Sequence, residues 1–243
     1  MGAKIAVAIA CVALITQTII TTELGIKLSS LVEVLAGGNL VIALILTMFL
    51  SILLGLGIPT SAAYALVAIV VAPVLVRMGV NPIAAHYFAF YAAVKSAITP
   101  PVALASLAAC SISGGGYWKT SMEAFRLGIS GLIIPYLIIF NPVLVLQPLD
   151  PVWSSLSLVA IPLGLIAFTG LVYNYLITRL NFITWLWVGL ATIGLFGYAF
   201  TKNYALFSLG MFAFVTVFCW QWRLWRKNKD IEMRVNRRVA QEE

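Results

Sequence analysis

The chain has 243 residues, 62% of them hydrophobic and 9% charged, with a mean hydropathy of +1.04. Soluble domains average about 45–50% apolar and 25% charged residues, so a water-soluble fold is excluded. Apolar runs of about twenty residues also exclude a barrel of short alternating strands, and the class that remains is an all-α, polytopic helical membrane protein. The net charge of +7 does not point to nucleic acid, because seven of the basic residues (Arg223, Arg226, Lys227, Lys229, Arg234, Arg237, Arg238) lie in the last 21 positions. There they mark the cytoplasmic side of the last span, with membrane lipids of anionic headgroup as the expected partner. Cys11, Cys110 and Cys219 sit in apolar runs without paired spacing, which fits core filling better than a metal site or a disulfide.

Apolar runs at 5–22, 40–79, 83–113, 124–146, 154–177, 181–200 and 204–222 predict five plain spans and two interrupted units. The organisation that follows is an N-terminal span and loop (1–36) and a region of interrupted helices (37–113). A following helix (114–149), three C-terminal spans (150–222) and a basic cytoplasmic tail (223–243) complete it. No signal-peptide cleavage pattern follows the first apolar run.

The first interrupted unit opens with the apolar stretch 40–54, about 22 Å of helix and too short to cross a hydrocarbon core of about 30 Å. It breaks at Gly55-Leu56-Gly57-Ile58-Pro59-Thr60-Ser61, where proline and glycine oppose helix and the hydroxyls suit a restart near Thr60. With a second half-helix at 62–78, the unit 40–79 reads as a re-entrant hairpin. The second unit, 83–113, is a discontinuous helix interrupted at Lys95-Ser96-Ala97-Ile98-Thr99-Pro100-Pro101. Tandem proline removes backbone donors and frees the carbonyls of the preceding turn, which survive at membrane depth only where protein or a bound ion satisfies them. A single kink repaired by hydroxyls is the simpler alternative. Two neighbouring breaks, each with Pro beside Thr, favour an ion or substrate site.

Charge distribution gives the orientation. With a cytoplasmic tail and a re-entrant 40–79, eleven basic residues face the cytoplasm and three (Lys27, Arg77, Lys202) face away, leaving Lys95 in the membrane. A fully crossing 40–79 leaves the count unchanged, so charge alone does not establish the hairpin.

The segments LGLGIPTSAAYALVAIVVAPVLVRMGVNPIAAHYFAFY, SAITPPVALASLAA and AFRLGISGLIIPYLIIFNPVLVL cover most of 50–146. In order and spacing they resemble the large membrane subunit of tripartite ATP-independent periplasmic (TRAP) transporters, most closely the fused four-plus-twelve-helix type served by TAXI-class binding proteins. The resemblance implies one half of an inverted-repeat, elevator-type secondary transporter that imports organic acid anions such as dicarboxylates. It implies sodium as the coupling ion, no other cofactor, no enzymatic activity and a periplasmic TAXI-type substrate-binding protein as partner. It also implies a bacterial inner-membrane location with a cytoplasmic C-terminus. Only the second repeat is visible, so the chain reads as a C-terminal portion whose other partners are the missing N-terminal repeat and the small-subunit helices. A channel-like protein and a non-transporting assembly fragment are the alternatives.

Carried onto this sequence, the resemblance assigns ion binding to Gly57, Thr60 and Ser61 at the hairpin tip and to Ser96, Ala97 and Thr99 in the unwound segment, with Ile98 between them. Substrate contacts fall on Pro59, Lys95, Pro100 and Pro101. Neutral carbonyl and hydroxyl oxygens suit a hard cation, and none of the eight acids lies in the middle of a span. Lys95 is costly in lipid unless partnered. It could meet a substrate carboxylate, stand in for a cation beside Ser96, or rest in a hydrated cleft or snorkel outward. His86 reads as a hydrogen-bonded interface residue, and Trp185, Trp187, Trp220, Trp222 and Trp225 as an interfacial belt. The sequence departs from the family at Glu23, where members carry glycine after threonine, and this puts a local unwound turn there in question.

Overall fold

The structure is a computed structural model and describes residues 14, 17, 18, 21–145 and 151–242. The span expected at 5–22 therefore lies largely outside the described residues. The rest is helical, consistent with an all-α membrane protein, and divides into two compact units, residues 1–146 and 147–243. Among the described residues five helices are long and apolar enough to cross a membrane: Thr60–Arg77, Tyr117–Phe140, Pro151–Tyr173, Phe182–Thr201 and Tyr204–Lys227.

The first unit begins with α1 (Leu24–Ala36), a short helix where a loop was expected. Glu23 precedes it at φ 54°, the left-handed conformation that glycine adopts freely. The turn at Thr22-Glu23 is thus kept although its glycine is not. α1 is fastened to α3 (Thr60–Arg77) by Ser29, whose hydroxyl donates to the Val70 carbonyl (2.7 Å), and by the Arg77–Glu33 ion pair (2.6 Å). α2 (Leu40–Gly55) starts at Asn39, whose side chain accepts from the amides of Val41 and Ile42. α4 (Pro82–Ser96) starts the same way, with Asn81 accepting from Ile83 and Ala84 and Pro82 in its first turn. Capping asparagines fix where both helices begin.

Helices α2, α3 and α4 share one core. Leu44 and Met48 of α2 pack with Leu66, Val67, Val70 and Val71 of α3 and with Ala85, Phe88, Ala89, Ala92 and Ala93 of α4. The alanine face of α4 lets helix backbones approach closely, the mode of association open to helices in lipid. Buried Thr47 and Ser51 donate to the carbonyls of Ala43 and Thr47, so neither hydroxyl enters this core bare. The second arm of the expected hairpin, read at 62–78, is α3, whose 18 residues, about 27 Å, reach the lower limit of a full span. Beyond the second break come α5 (Leu104–Ser113) and α6 (Tyr117–Gly128). A 3-10 turn at Ile129–Leu132 and α7 (Ile134–Phe140) follow. The span expected at 124–146 therefore starts earlier and is itself interrupted, because Pro135 lacks the N–H that would bond to the Gly131 carbonyl.

The second unit contains α8 (Pro151–Tyr173), α9 (Phe182–Thr201) and α10 (Tyr204–Glu242). α9 and α10 cross at Gly194 and Gly210, where a Cβ on Gly194 would stand 2.6 Å from the Gly210 Cα. The loop after α8 is tied to α10 by Gln221, whose Oε1 accepts from the Thr178 amide at 2.8 Å. This puts Arg179 at the same end of the unit as Arg223, while Lys202 lies at the far end of α9 over the buried Trp153 ring, 4.0 Å from its centroid. The basic tail is no separate element, since α10 continues through it to Glu242.

Two stability predictions follow from the backbone. Glu23→Gly relieves a left-handed non-glycine residue and is expected to stabilise the detergent-solubilised chain by about 0.5–1 kcal/mol in thermal unfolding. Gly194→Ala forces a methyl group against backbone and is expected to destabilise it by about 1–3 kcal/mol in the same assay.

Candidate functional site

The two breaks face each other. α2 ends at Gly55, Leu56 turns extended (φ −61°, ψ 127°), and Gly57 adopts φ 77°. Ile58 is buried and anchors the tip. Pro59 occupies the N-cap of α3 and offers no side-chain cap to its first amides, so Thr60 and Ser61 stand in the opening turn as exposed hydroxyls rather than as the cap.

Against this tip lies the end of α4. Ser96 is 1% exposed, and its hydroxyl lies 2.6 Å from the Ala93 carbonyl and 2.9 Å from the Gly55 carbonyl, the last residue of α2. Gly55 is required there, since a Cβ would fall 2.7 Å from Ser96 Cβ. The breaks also come near each other at Gly57, where a Cβ would lie 3.5 Å from Val102 Cγ1.

After Ser96 the chain tightens and then opens. The amides of Ala97, Ile98 and Thr99 bond three residues back, to Val94, Lys95 and Ser96, and the Thr99 hydroxyl donates to the Lys95 carbonyl at 2.7 Å. The chain then passes through Pro100 and Pro101, and Ala103 sits at φ 30° before α5 begins. The Ala97 carbonyl accepts from Ala105 at 3.0 Å, and the Pro101 carbonyl from the Tyr117 hydroxyl at 2.6 Å. Among the described residues the Ile98 and Pro100 carbonyls accept no hydrogen bond. Neutral oxygens of this kind can hold a hard cation, and no group of three His, Cys, Asp or Glu suited to a transition metal occurs among the described residues.

Lys95 turns away from the tip. Its ammonium donates to the Gly128 carbonyl at 2.8 Å, where α6 slackens into the 3-10 turn. Two glycines three residues apart make the seat. A Cβ on Gly131 would lie 2.7 Å from Lys95 Cε, and one on Gly128 would lie 3.3 Å from Nζ.

Of the residues singled out from sequence, Gly57 and Ser96 share the junction of the two breaks. Ala97 and Thr99 continue from it, Thr60 and Ser61 are exposed beside it, and Pro59 and Pro101 lie exposed on the two segments. Gly55 was placed in the first break but given no role there, and Val102, Tyr117, Gly128 and Gly131 were missed. The first is the close-packed end of a helix and the last two form a G-x-x-G pair in an otherwise plain span, signals that proline did not advertise. His86 is paired as expected, its Nδ1 lying 3.2 Å from the Tyr64 hydroxyl. Trp185, Trp187, Trp220 and Trp222 are exposed on their helices and Trp225 is half-buried, which suits a belt, whereas Trp153 is buried.

The seat for Lys95 and the clasp at Ser96 can be tested on stability alone. Gly131→Ala drives a methyl into the lysine stem and Gly55→Ala drives one into Ser96. Each is expected to cost about 1–3 kcal/mol in thermal unfolding, and Lys95→Ala should relieve most of the Gly131→Ala cost in a double-mutant cycle.

Comparison with known proteins yields one family. A family model described as "Tripartite ATP-independent periplasmic transporter, DctM component" matches residues 1–153, which span the first unit and the start of α8. No curated protein and no solved structure matches the chain. With that match over more than half its length, the chain belongs to the DctM family, the large membrane component of TRAP transporters.

Proposed function

We propose that the chain is the carrier part of a sodium-coupled importer of organic acid anions, with the ion held where the two interrupted helices meet. The observation that carries the reading is the clasp between Ser96 and the Gly55 carbonyl, which holds two open backbone segments together in a region rich in neutral oxygens. In this reading α2 and α3 form a re-entrant hairpin. The ion draws on the hydroxyls and carbonyls of Gly57, Thr60, Ser61, Ser96, Ala97 and Thr99. The substrate carboxylate lies over the same junction, beside Pro59, Pro100 and Pro101, and is favoured by the uncapped first turn of α3.

Lys95 uses one ammonium N–H on Gly128 and has two more for an anion. Family membership supports a periplasmic binding protein and a small membrane subunit as partners. We assign the binding protein to the TAXI class and the chain to the fused four-plus-twelve-helix type, with its first repeat supplied by further sequence. Placement in the bacterial inner membrane with α10 ending in the cytoplasm agrees with the basic cluster at that end of the second unit.

The test is uptake of labelled dicarboxylate into proteoliposomes holding the complete complex. Uptake is expected to saturate, to require the binding protein and to vanish without a sodium gradient. Thr60→Ala and Thr99→Ala are each expected to raise the sodium concentration for half-maximal uptake about tenfold, the equivalent of roughly 1.4 kcal/mol of ion binding. Unchanged sodium dependence in both variants overturns the site, and uptake without the binding protein overturns the carrier.

A further inference from the structure

The last helix carries three distinct faces. Gly210, Ala213, Val217 and Gln221 form the buried one. A second is a ladder of Phe214, Phe218, Trp222 and Trp225, with successive ring centroids 6.2, 6.3 and 5.2 Å apart. Arg226 and Lys229 lie over the rings of Trp222 and Trp225, at 5.5 and 5.0 Å. The third face recurs at three- and four-residue spacing. Phe212, Val215, Cys219 and Trp220, topped by Arg223 and Lys227, line an open trough of about 550 Å³.

The two pairs of cations differ. Arg226 and Lys229 are engaged by aromatic faces, whereas Arg223 and Lys227 make no ion pair and no ring contact among the described residues. Depth also separates the parts of the trough. The uncharged run of α10 ends at Trp222, which places Arg223 and Lys227, about one helical turn apart, at the expected headgroup level and residues 212–220 at the expected depth of acyl chains.

We propose that this trough binds one anionic phospholipid, an acyl chain lying along Phe212, Val215 and Cys219 and the phosphate resting between the Arg223 guanidinium and the Lys227 ammonium. Charge complementarity selects the occupant. A zwitterionic headgroup brings a cation of its own toward two fixed cations, and a second copy docked by the same face opposes Arg223 and Lys227 to their own kind. A phosphate with net negative charge satisfies both, and guanidinium offers it two parallel donors. The site lies in the second unit and does not depend on the transport reading.

The experiment is native mass spectrometry of the full chain released from nanodiscs of equal phosphatidylglycerol and phosphatidylcholine content. The expected result is one retained phosphatidylglycerol, enriched over phosphatidylcholine on the order of tenfold, as two basic groups near the surface allow. Arg223→Gln combined with Lys227→Gln should abolish the enrichment, and Arg226→Gln combined with Lys229→Gln should leave it. Cys219→Trp, which fills the trough without touching charge, should release the lipid. Equal retention of both lipids overturns the proposal. So does equal loss in the two double variants, which marks diffuse surface attraction, or a Cys219–Cys219 crosslink between copies formed whatever the lipid, which marks a protein interface.

Discussion

Inside lipid a backbone carbonyl or amide without a partner costs several kcal/mol, and no solvent is at hand to relieve it. The first unit is organised around that constraint. α2 stops at Gly55 and α4 stops at Ser96, and each stop leaves carbonyls that a continuing helix would have satisfied. The protein answers one break with the other: the Ser96 hydroxyl reaches the Gly55 carbonyl, and the absence of a side chain on Gly55 lets it come within 2.9 Å. The remaining carbonyls are met piecemeal, by Thr99, Ala105 and Tyr117. In the second break the Ile98 and Pro100 carbonyls are left open among the described residues.

The same logic extends to the third interruption. Pro135 denies the Gly131 carbonyl its helical donor, the helix relaxes into a 3-10 turn, and the Lys95 ammonium donates to Gly128 just before it. Lys95 thus obtains a partner without a carboxylate, and a slackened helix obtains a side-chain donor. The α4 break and the α6–α7 break are in this way fixed to one another, so a displacement of the unwound segment at residues 95–99 is felt at Gly128. Such coupling suits a carrier, in which occupancy at one break has to bias a larger rearrangement.

How much of this the sequence disclosed depends on the range of each cause. Breaks made by Pro59 and by Pro100-Pro101 are local: a missing N–H and a fixed φ act on the adjacent turn, and the structure interrupts its helices where those residues lie. The family resemblance, carried by stretches of 50–146, is likewise upheld by the match over residues 1–153. Partners distant in sequence were not legible. Nothing local ties Lys95 to Gly128, 33 residues on, or Arg77 to Glu33, 44 residues back. α1 escaped notice because its charged residues mimic a loop until Ser29 and Glu33 are seen to be used against α3. α3 begins at Thr60, where a restart was expected, but Thr60 and Ser61 were read as caps, whereas Pro59 takes the N-cap and the hydroxyls join the first turn.

The second unit lies almost wholly beyond the family match and is built on a different rule. Its helices run without a break in the chain, Pro162 being carried inside α8, and Gly194 against Gly210 brings α9 and α10 to backbone contact. Aromatic rings then grade the exit from the membrane. The stack runs from Phe214 in the uncharged part of α10 to Trp225 among its first basic residues, and Arg226 and Lys229 take its last rings as partners. A helix of 39 residues is about 58 Å long, nearly twice the hydrocarbon thickness, so part of α10 must leave the bilayer. The rings fix where it does so, because a tryptophan pulled inward buries its N–H and one pushed outward exposes its rings to water. Depth set in this way determines which basic residues meet phosphate and which meet bulk solvent, a distinction that the count of tail charges does not contain.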